Sequence, residues 1–352
     1  MTYTESLAAL KSMQNNKAPG SDGLTTEFFK FFWSDLNALL INSFNYGFTK
    51  GELSIDQRRG IITLTPKKEK DRYYLKNWRP IALLNTDYKI LAKLLAIRLK
   101  KVMDNLIDHD QTGYLKGRYI GENIRTVADI MYYLENNNLS GAILQIDFEK
   151  AFDSINWAFI QKTLHAFNLG PSFCNWVKIL YKNSQSAVIN NGYLTQFFCL
   201  QRGVRQGCPL SVYLFLLVVE LLAVKIRNSD LINGIQLKDK NVKISQMADD
   251  TCLFLKDRSS ITEALRLLKD FSLVSGLKTN VEKTKAYKVG KATEKLKTDG
   301  INLDWENGNM KLLGLTITTN QIDHIKENIN PKTELMKILF KVWSQRKLTL
   351  IR

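Results

Sequence analysis

Cysteine is scarce in this chain of 352 residues: there are four, Cys174, Cys199, Cys208 and Cys252, and they stand far apart. No pair has the spacing of zinc ligands, and the three histidines, His109, His165 and His324, cluster with none of them. A structural zinc site is therefore excluded, and reduced intracellular thiols are expected. Proline is equally thin, with six residues widely dispersed. No Pro/Gly/Ser-rich linker, internal repeat or low-complexity tract marks a boundary or argues for disorder. Long apolar runs are missing as well. The longest, Val212–Val219, is interrupted at Glu220 and resumes to Ile226. Spanning a bilayer takes about 20 apolar residues, so this segment reads as a core helix. The chain is expected to be soluble, with no membrane partner. Met1 to Lys11 is too short and too polar for a secretory signal.

What is abundant is apolar residues and positive charge. Apolar residues make up 45%, enough for one large domain or two smaller ones, and Lys plus Arg exceed Asp plus Glu by 50 to 34. The resulting net charge of +16, with an isoelectric point near 9.5, favours a polyanionic partner such as nucleic acid. Phe28 to Phe44 is aromatic-rich with a helical pattern, and Gly60 to Leu64 reads as a strand before the charged loop Lys67 to Arg72. Asp87 to Met103 carries apolar residues at helical spacing, including 91, 94, 95 and 102, interspersed with Lys89, Lys93, Lys100 and Lys101. That is an amphipathic helix whose basic face is either solvated surface or the wall of a template path. Ser260-Ile-Thr-Glu263 has the form of a capping box, with Gly276 as the stop of the helix that follows.

Residues Gln246-Met-Ala-Asp-Asp-Thr-Cys-Leu-Phe254 carry the most information. Asp249 and Asp250 lie between two β-prone segments, Val242 to Met247 and Thr251 to Leu255, and would crown a hairpin. Adjacent carboxylates repel and resist burial unless a cation neutralises them, and a pair of Mg²⁺ ions is the usual reason for such an arrangement. An exposed acidic turn is the plainer alternative. Upstream, Ala142 to Ile146 reads as a buried strand ending at Asp147, a third carboxylate at a strand end. Between the two lies Arg202-Gly-Val-Arg-Gln-Gly-Cys-Pro-Leu-Ser211, a glycine-bracketed turn leading into the apolar helix. Strands separated by helices, with acids on a hairpin and a facing strand, fit a mostly antiparallel, ferredoxin-like sheet in an α+β fold.

These three segments, in this order, resemble motifs A, B and C of reverse transcriptases. Lys17-Ala-Pro-Gly-Ser-Asp-Gly-Leu24 is similar to the additional N-terminal motif of the non-LTR (LINE-type) retrotransposon enzymes. Leu75 to Asn85 resembles their fingers motif, and Gln111-Thr-Gly-Tyr-Leu-Lys-Gly-Arg118 the segment after it. Phe271 to Asn280 with Lys283 is similar to motif D, and Lys311-Leu-Leu-Gly-Leu315 to motif E. The resemblance runs from Asn16 to Trp343. Two positions depart from the pattern: Met247 stands where relatives carry an aromatic, and Val212 where proline is usual.

The resemblance implies a right-hand polymerase that adds deoxynucleotides to a primer 3′-hydroxyl on an RNA template. Two Mg²⁺ ions would sit on Asp147, Asp249 and Asp250, with Mn²⁺ able to stand in; Asp250 is either a ligand or a support of the geometry. Phe152 would wall the sugar pocket against a 2′-hydroxyl, with an ordinary core role as the alternative. Arg79 and Lys67 would contact the triphosphate, and Gln206 and Gly207 would lie against the nucleotide and template base. Lys283 would protonate the departing pyrophosphate. Asp153 is read as a turn cap. Fingers are expected over 1–140, the palm with its aspartates over 141–320, and the start of an incomplete thumb over 321–352, without the endonuclease and cysteine-rich parts of full-length relatives. Nuclear action is expected, with no targeting signal evident, and the oligomeric state is left open. A catalytically decayed nucleic-acid-binding remnant is the alternative function, followed by a polymerase of the group II intron maturase type.

Overall fold

The computed structural model describes residues 1–345 apart from 292–295, 297, 308 and 319. The chain opens with α1 (Tyr3–Lys11), α2 (Thr26–Phe31), α3 (Trp33–Lys50) and the short α4 (Ile55–Arg58). A reciprocal capping box between Thr2 and Glu5 starts α1, and Gly51 in the left-handed region ends α3. The aromatic stretch expected to be helical is two helices that meet at Phe32.

Next come β1 (Arg59–Pro66), β2 (Trp78–Leu84), α5 (Thr86–Leu106) and α6 (Ile120–Asn136). The long helix α5 buries Leu91, Leu94, Leu95, Leu99 and Met103. Met103, not Val102, therefore closes the apolar stripe, because a 3.6-residue period from Leu95 and Leu99 lands on 103. After β3 (Gly141–Ile146) follow α7 (Ala151–Ser154), α8 (Trp157–Ala166), α9 (Pro171–Tyr181), β4 (Gln185–Asn190), β5 (Tyr193–Leu194), β6 (Phe198–Cys199) and α10 (Ser211–Arg227). Helix α10 is apolar nearly all round and accordingly buried.

The chain continues through β7 (Ile235–Leu237), β8 (Lys240–Val242), β9 (Ile244–Met247), β10 (Asp250–Leu255) and α11 (Arg258–Ser275). Val242 belongs to the small β7–β8 ribbon, so the acidic hairpin begins at Ile244 rather than at Val242. Helix α11 is capped by Asp257, whose carboxylate accepts from Ser260 N–H at 2.8 Å. The expected capping box from Ser260 to Glu263 is thereby replaced, since Ser260 already lies inside the helix. Gly276 ends α11 in the left-handed region, as expected. The last elements are β11 (Lys285–Val289), β12 (Asp304–Asn307), β13 (Met310–Leu312), β14 (Leu315–Ile317), α12 (Gln321–His324), a π-helical turn over Ile325–Ile329, and α13 (Asn330–Ser344). Of the stretch 321–352 expected to start a thumb, 321–344 is helical throughout, and 346–352 lie outside the described residues.

Two sheets position the site. The central one has the order β12-β11-β3-β10-β9. Its side chains alternate between two cores, as a period of two requires. Ala142, Leu144, Ile146, Leu253, Leu255 and Ala286 join the core under α10 and α11. Ile143, Cys252, Phe254, Tyr287 and Val289 join the opposite core, against α6 and the β13–β14 hairpin. Both faces are covered, which is why β3 is apolar apart from Gln145. The second sheet pairs β1 antiparallel with β2 and parallel with β4, with β5 and β6 on the far side of β4. Strand β4 thus crosses the expected boundary between 140 and 141: a segment of the second third completes the N-terminal sheet.

Candidate active site

The acidic hairpin turns at Ala248, between Met247 and Asp250, which pair across β9 and β10. Ala248 has φ of 58°, a left-handed conformation unusual for a residue with a Cβ. In the neighbouring pair Thr251 stands opposite Ile146, so Asp147, the next residue along, comes level with Asp250. The Asp147 backbone is held from the other side, its carbonyl accepting from Asn280 N–H at 2.7 Å and its N–H donating to Thr284 Oγ1 at 3.3 Å. Three carboxylates are therefore brought to one end of the central sheet by two separate segments, the end of β3 and the β9–β10 turn.

Their electrostatics are unfavourable without a cation. Burial, then the charge of Asp147, pushes the Asp249 carboxyl above the usual carboxylate range. Asp250 opens to solvent, yet the protein crowded around it, with Asp249 and Asp147 adding their charge, pushes its carboxyl up to about 6. Asp147 Oδ2 is buried without a hydrogen-bond partner, and the nearest cation, Lys283 Nζ, stands 3.7 Å away. An orphaned carboxylate oxygen facing two further carboxylates is a donor set suited to hard divalent cations. Among the described residues no group of three or more acidic, histidine or cysteine side chains is placed to hold a metal ion by itself. A cation at these carboxylates would therefore have to complete its shell with substrate phosphates and water, as Mg²⁺ commonly does.

Beside Asp147 opens a cleft of about 1120 Å³, walled by β1, β2 and β4 on one side and on the other by the segment after β3, the turn before α10, and Asn280 and Lys283. Lys67, Arg79, Phe152, Gln206, Gly207 and Lys283 all line it, so the structure brings together on its walls the site residues singled out besides the aspartates. Arg79 is exposed on β2, opposite Thr65 of β1. Lys67 is tied back, its ammonium donating to the Lys76 carbonyl at 2.9 Å, so it would have to release that contact to meet a phosphate. Phe152 stacks on Phe215 of α10, with ring centroids 4.5 Å apart and planes at 13°. Phe152 lines the cleft and also packs against the core, so it is both core residue and cleft wall.

The turn before α10 closes the floor. Gly207 has φ of 94°, and a Cβ there would lie 2.7 Å from the Ala82 carbonyl oxygen on β2, so only glycine lets the turn approach the sheet. Gln206 donates from Nε2 to Asp153 Oδ1 at 3.1 Å. The Asp153 carboxylate is thus a partner of Gln206 rather than the turn cap expected; burial raises it, while the Gln206 contact and Lys150 oppose that shift.

Two neighbours of the site went unassigned in the sequence. Arg205 is 4% exposed, donates to the Gln185 carbonyl at 3.3 Å and lies 5.0 Å above the Tyr88 ring, joining the turn to β4 and α5. Gln111, fully buried, reaches Ala248 at the tip of the acidic hairpin. Each looks like an ordinary polar residue in a loop, and only the long-range contact distinguishes it.

The family model for reverse transcriptase (RNA-dependent DNA polymerase) matches residues 65–317. An uncharacterized 149 kDa protein of transposon TX1 from Xenopus laevis is 36% identical over 91% of this chain and 24% of its own length. The Pol polyprotein of the type-2 retrotransposable element R2DM from Drosophila melanogaster is 28% identical over 76% of this chain and 24% of its own length. The chain therefore spans about a quarter of the length of these relatives, 24% in both cases. Among solved structures, telomerase from Candida tropicalis, in complex with a TWJ fragment of telomeric RNA, superposes with a TM-score of 0.53 at 13% identity, covering 84% of this chain and 48% of that one. At that identity the likeness concerns the fold, which is that of the right-hand polymerases.

Proposed function

The chain belongs to the reverse transcriptase family, with relatives in non-LTR retrotransposons, and from that premise we propose that it carries the polymerase centre of a LINE-type element. In this reading it adds deoxynucleotides to a primer 3′-hydroxyl paired with an RNA template. The observation that carries the proposal is the meeting of Asp147, Asp249 and Asp250 at one end of the central sheet, next to a cleft walled by Arg79, Phe152 and Gln206 and joined to Asp147 through Asn280 and Lys283. Mg²⁺ held by the three aspartates, with Mn²⁺ as a substitute, would acidify the primer hydroxyl and offset the charge of the leaving pyrophosphate.

The remaining roles belong to the chain itself. Arg79 offers a forked donor to the triphosphate from the exposed face of β2, and Lys67 a point charge once it leaves the Lys76 carbonyl. Phe152, braced by Phe215, presents a rigid ring to the sugar and leaves little room for a 2′-hydroxyl. Gln206, oriented by Asp153, and the bare backbone of Gly207 form the surface against which the nucleotide and template base would rest. Lys283 stands beside Asp147, exposed enough to reach the departing pyrophosphate as a general acid.

The test is extension of a DNA primer on an RNA template by the purified chain with Mg²⁺, in parallel with Asp249→Asn. The expected result is extension by the wild type and loss of several orders of magnitude in the variant, with primer–template binding retained. Binding without extension by the wild type would instead identify a nucleic-acid-binding remnant.

A further inference from the structure

The turn that presents Asp249 and Asp250 is not held by its own hairpin alone. Ala248, with its φ of 58°, is a conformation that a non-glycine residue keeps only where surrounding contacts impose it. Both peptide polar groups of Ala248 are taken by a single side chain. Gln111 Oε1 accepts from Ala248 N–H at 2.8 Å, and Gln111 Nε2 donates to the Ala248 carbonyl at 3.3 Å. The same Oε1 accepts from Gly113 N–H at 2.9 Å, which fixes the carboxamide plane from its own loop.

The loop around Gln111 is laced along β9. Thr112 N–H donates to the Gln246 carbonyl at 2.9 Å, and Gln246 N–H to the Asp110 carbonyl at 2.7 Å. Asn123 of α6 donates to the same Gln246 carbonyl and to Ser245 Oγ, both at 2.9 Å. The contact is close enough that a Cβ on Gly113 would fall 2.6 Å from Ala248 N. From behind, Arg118 donates to the carbonyls of Ile107 and Gln111 at 2.7 and 2.8 Å, and Arg227 of α10 to Asp110 Oδ2 at 2.6 Å. Gln111 and Gln246 are fully buried, so no water competes for these bonds.

The chemistry of the group matches its place. A carboxamide offers one acceptor and two donors in a plane, so it can serve an N–H and a C=O of one residue together. It is also neutral. A lysine or arginine there would compete with cations for the two carboxylates, and a glutamate would add a third negative charge behind them.

We propose that Gln111 is a positioning residue for divalent-cation binding: its carboxamide clamps Ala248 in the left-handed conformation from which Asp249 and Asp250 face Asp147. The proposal rests on the reading of those aspartates as metal ligands, and the experiment separates the two. Free Mn²⁺ is followed by electron paramagnetic resonance during titration of wild type, Gln111→Met, Gln111→Asn and Asp249→Asn. Methionine conserves the volume of the side chain without the clamp, and asparagine keeps an amide one methylene too short to reach Ala248.

Both Gln111 variants are expected to bind Mn²⁺ about 10-fold more weakly, the scale on which groups behind a metal's own ligands act. Primer–template binding should stay near wild type, the thermal midpoint should fall because the buried Ala248 and Gly113 groups lose their partner, and exchange of the Ala248 amide proton should accelerate. Wild-type Mn²⁺ affinity in whichever Gln111 variant remains folded would overturn the clamp alone. No Mn²⁺ binding by wild type, or equal binding by wild type and Asp249→Asn, would overturn both the clamp and the metal reading beneath it.

Discussion

In the central sheet β3 buries five of its six residues, whereas β1 in the second sheet buries one of eight and β2 one of seven. The first sheet is covered on both faces, by α10 and α11 on one side and α6 with β13–β14 on the other. The second turns one face to the cleft, where Ile62, Leu64 and Pro80 stand in its wall, with Arg79 reaching it from the neighbouring position on β2. The contrast teaches a division of labour. Carboxylates that must share cations need fixed separations, and close-packed strands supply them because such interiors deform little. Side chains that must receive a mobile polyanion need access to solvent, which an uncovered face supplies. The cleft forms where the two regimes meet.

If that division is right, equal truncations in the two sheets should have unequal consequences. Leu253 is fully buried on β10, and Leu253→Ala should cost about 2–5 kcal/mol of stability through lost burial and a residual cavity. Ile81, 39% exposed on β2, should cost no more than about 1 kcal/mol when replaced by alanine. Urea unfolding midpoints of the two variants measure the difference, and equal losses would break the comparison.

Phe152 sharpens it at the junction, because its ring belongs to both regimes. Phe152→Val keeps a core side chain but removes the wall against the sugar. Discrimination between deoxy- and ribonucleotides, as a ratio of kcat/KM, should fall about 10- to 100-fold, equivalent to roughly 1.4–2.7 kcal/mol. An unchanged ratio with lowered stability would make Phe152 a core residue only.

The smallest effect concerns charge. Cations on the second sheet such as Arg79 are exposed, but Glu220 on α10 is 2% exposed, and burial pushes its carboxyl from an ordinary 4.5 up to about 7, against the opposing pull of Arg227. A carboxyl raised in the folded state binds its proton more tightly than in the unfolded chain. Its contribution is therefore fully present below pH 4.5 and lost as pH rises through about 7. Between those limits the wild type should lose about 1–2 kcal/mol more than Glu220→Gln, measured as urea midpoints against pH. Parallel profiles would show that Arg227 compensates the buried charge completely.

Much of the site was legible in the chain because its chemistry is local. The β9–β10 hairpin, the strand ending at Asp147, the glycine turn at Gly207 and the apolar helix α10 each declare themselves within about ten residues, through periodicity of 2 or 3.6 and residues demanded by turns. The errors were also local and small: Asp257 rather than Ser260 caps α11, Met103 rather than Val102 faces the core, and Ile244 rather than Val242 opens the hairpin. Two candidates compete within one residue or one turn there, and packing selects between them.

What the sequence determined, then, is the set of elements and the identity of the chemical groups, since propensity, periodicity and side-chain chemistry belong to the residues themselves. Only the tertiary structure decided which segments meet. It carried β4 across to pair with β1, set Asp153 beneath Gln206, and drove Gln111 against Ala248, 137 positions away in the chain. Such contacts arise from burial of whole faces, and a lone glutamine in a loop bears no mark of the peptide it will hold.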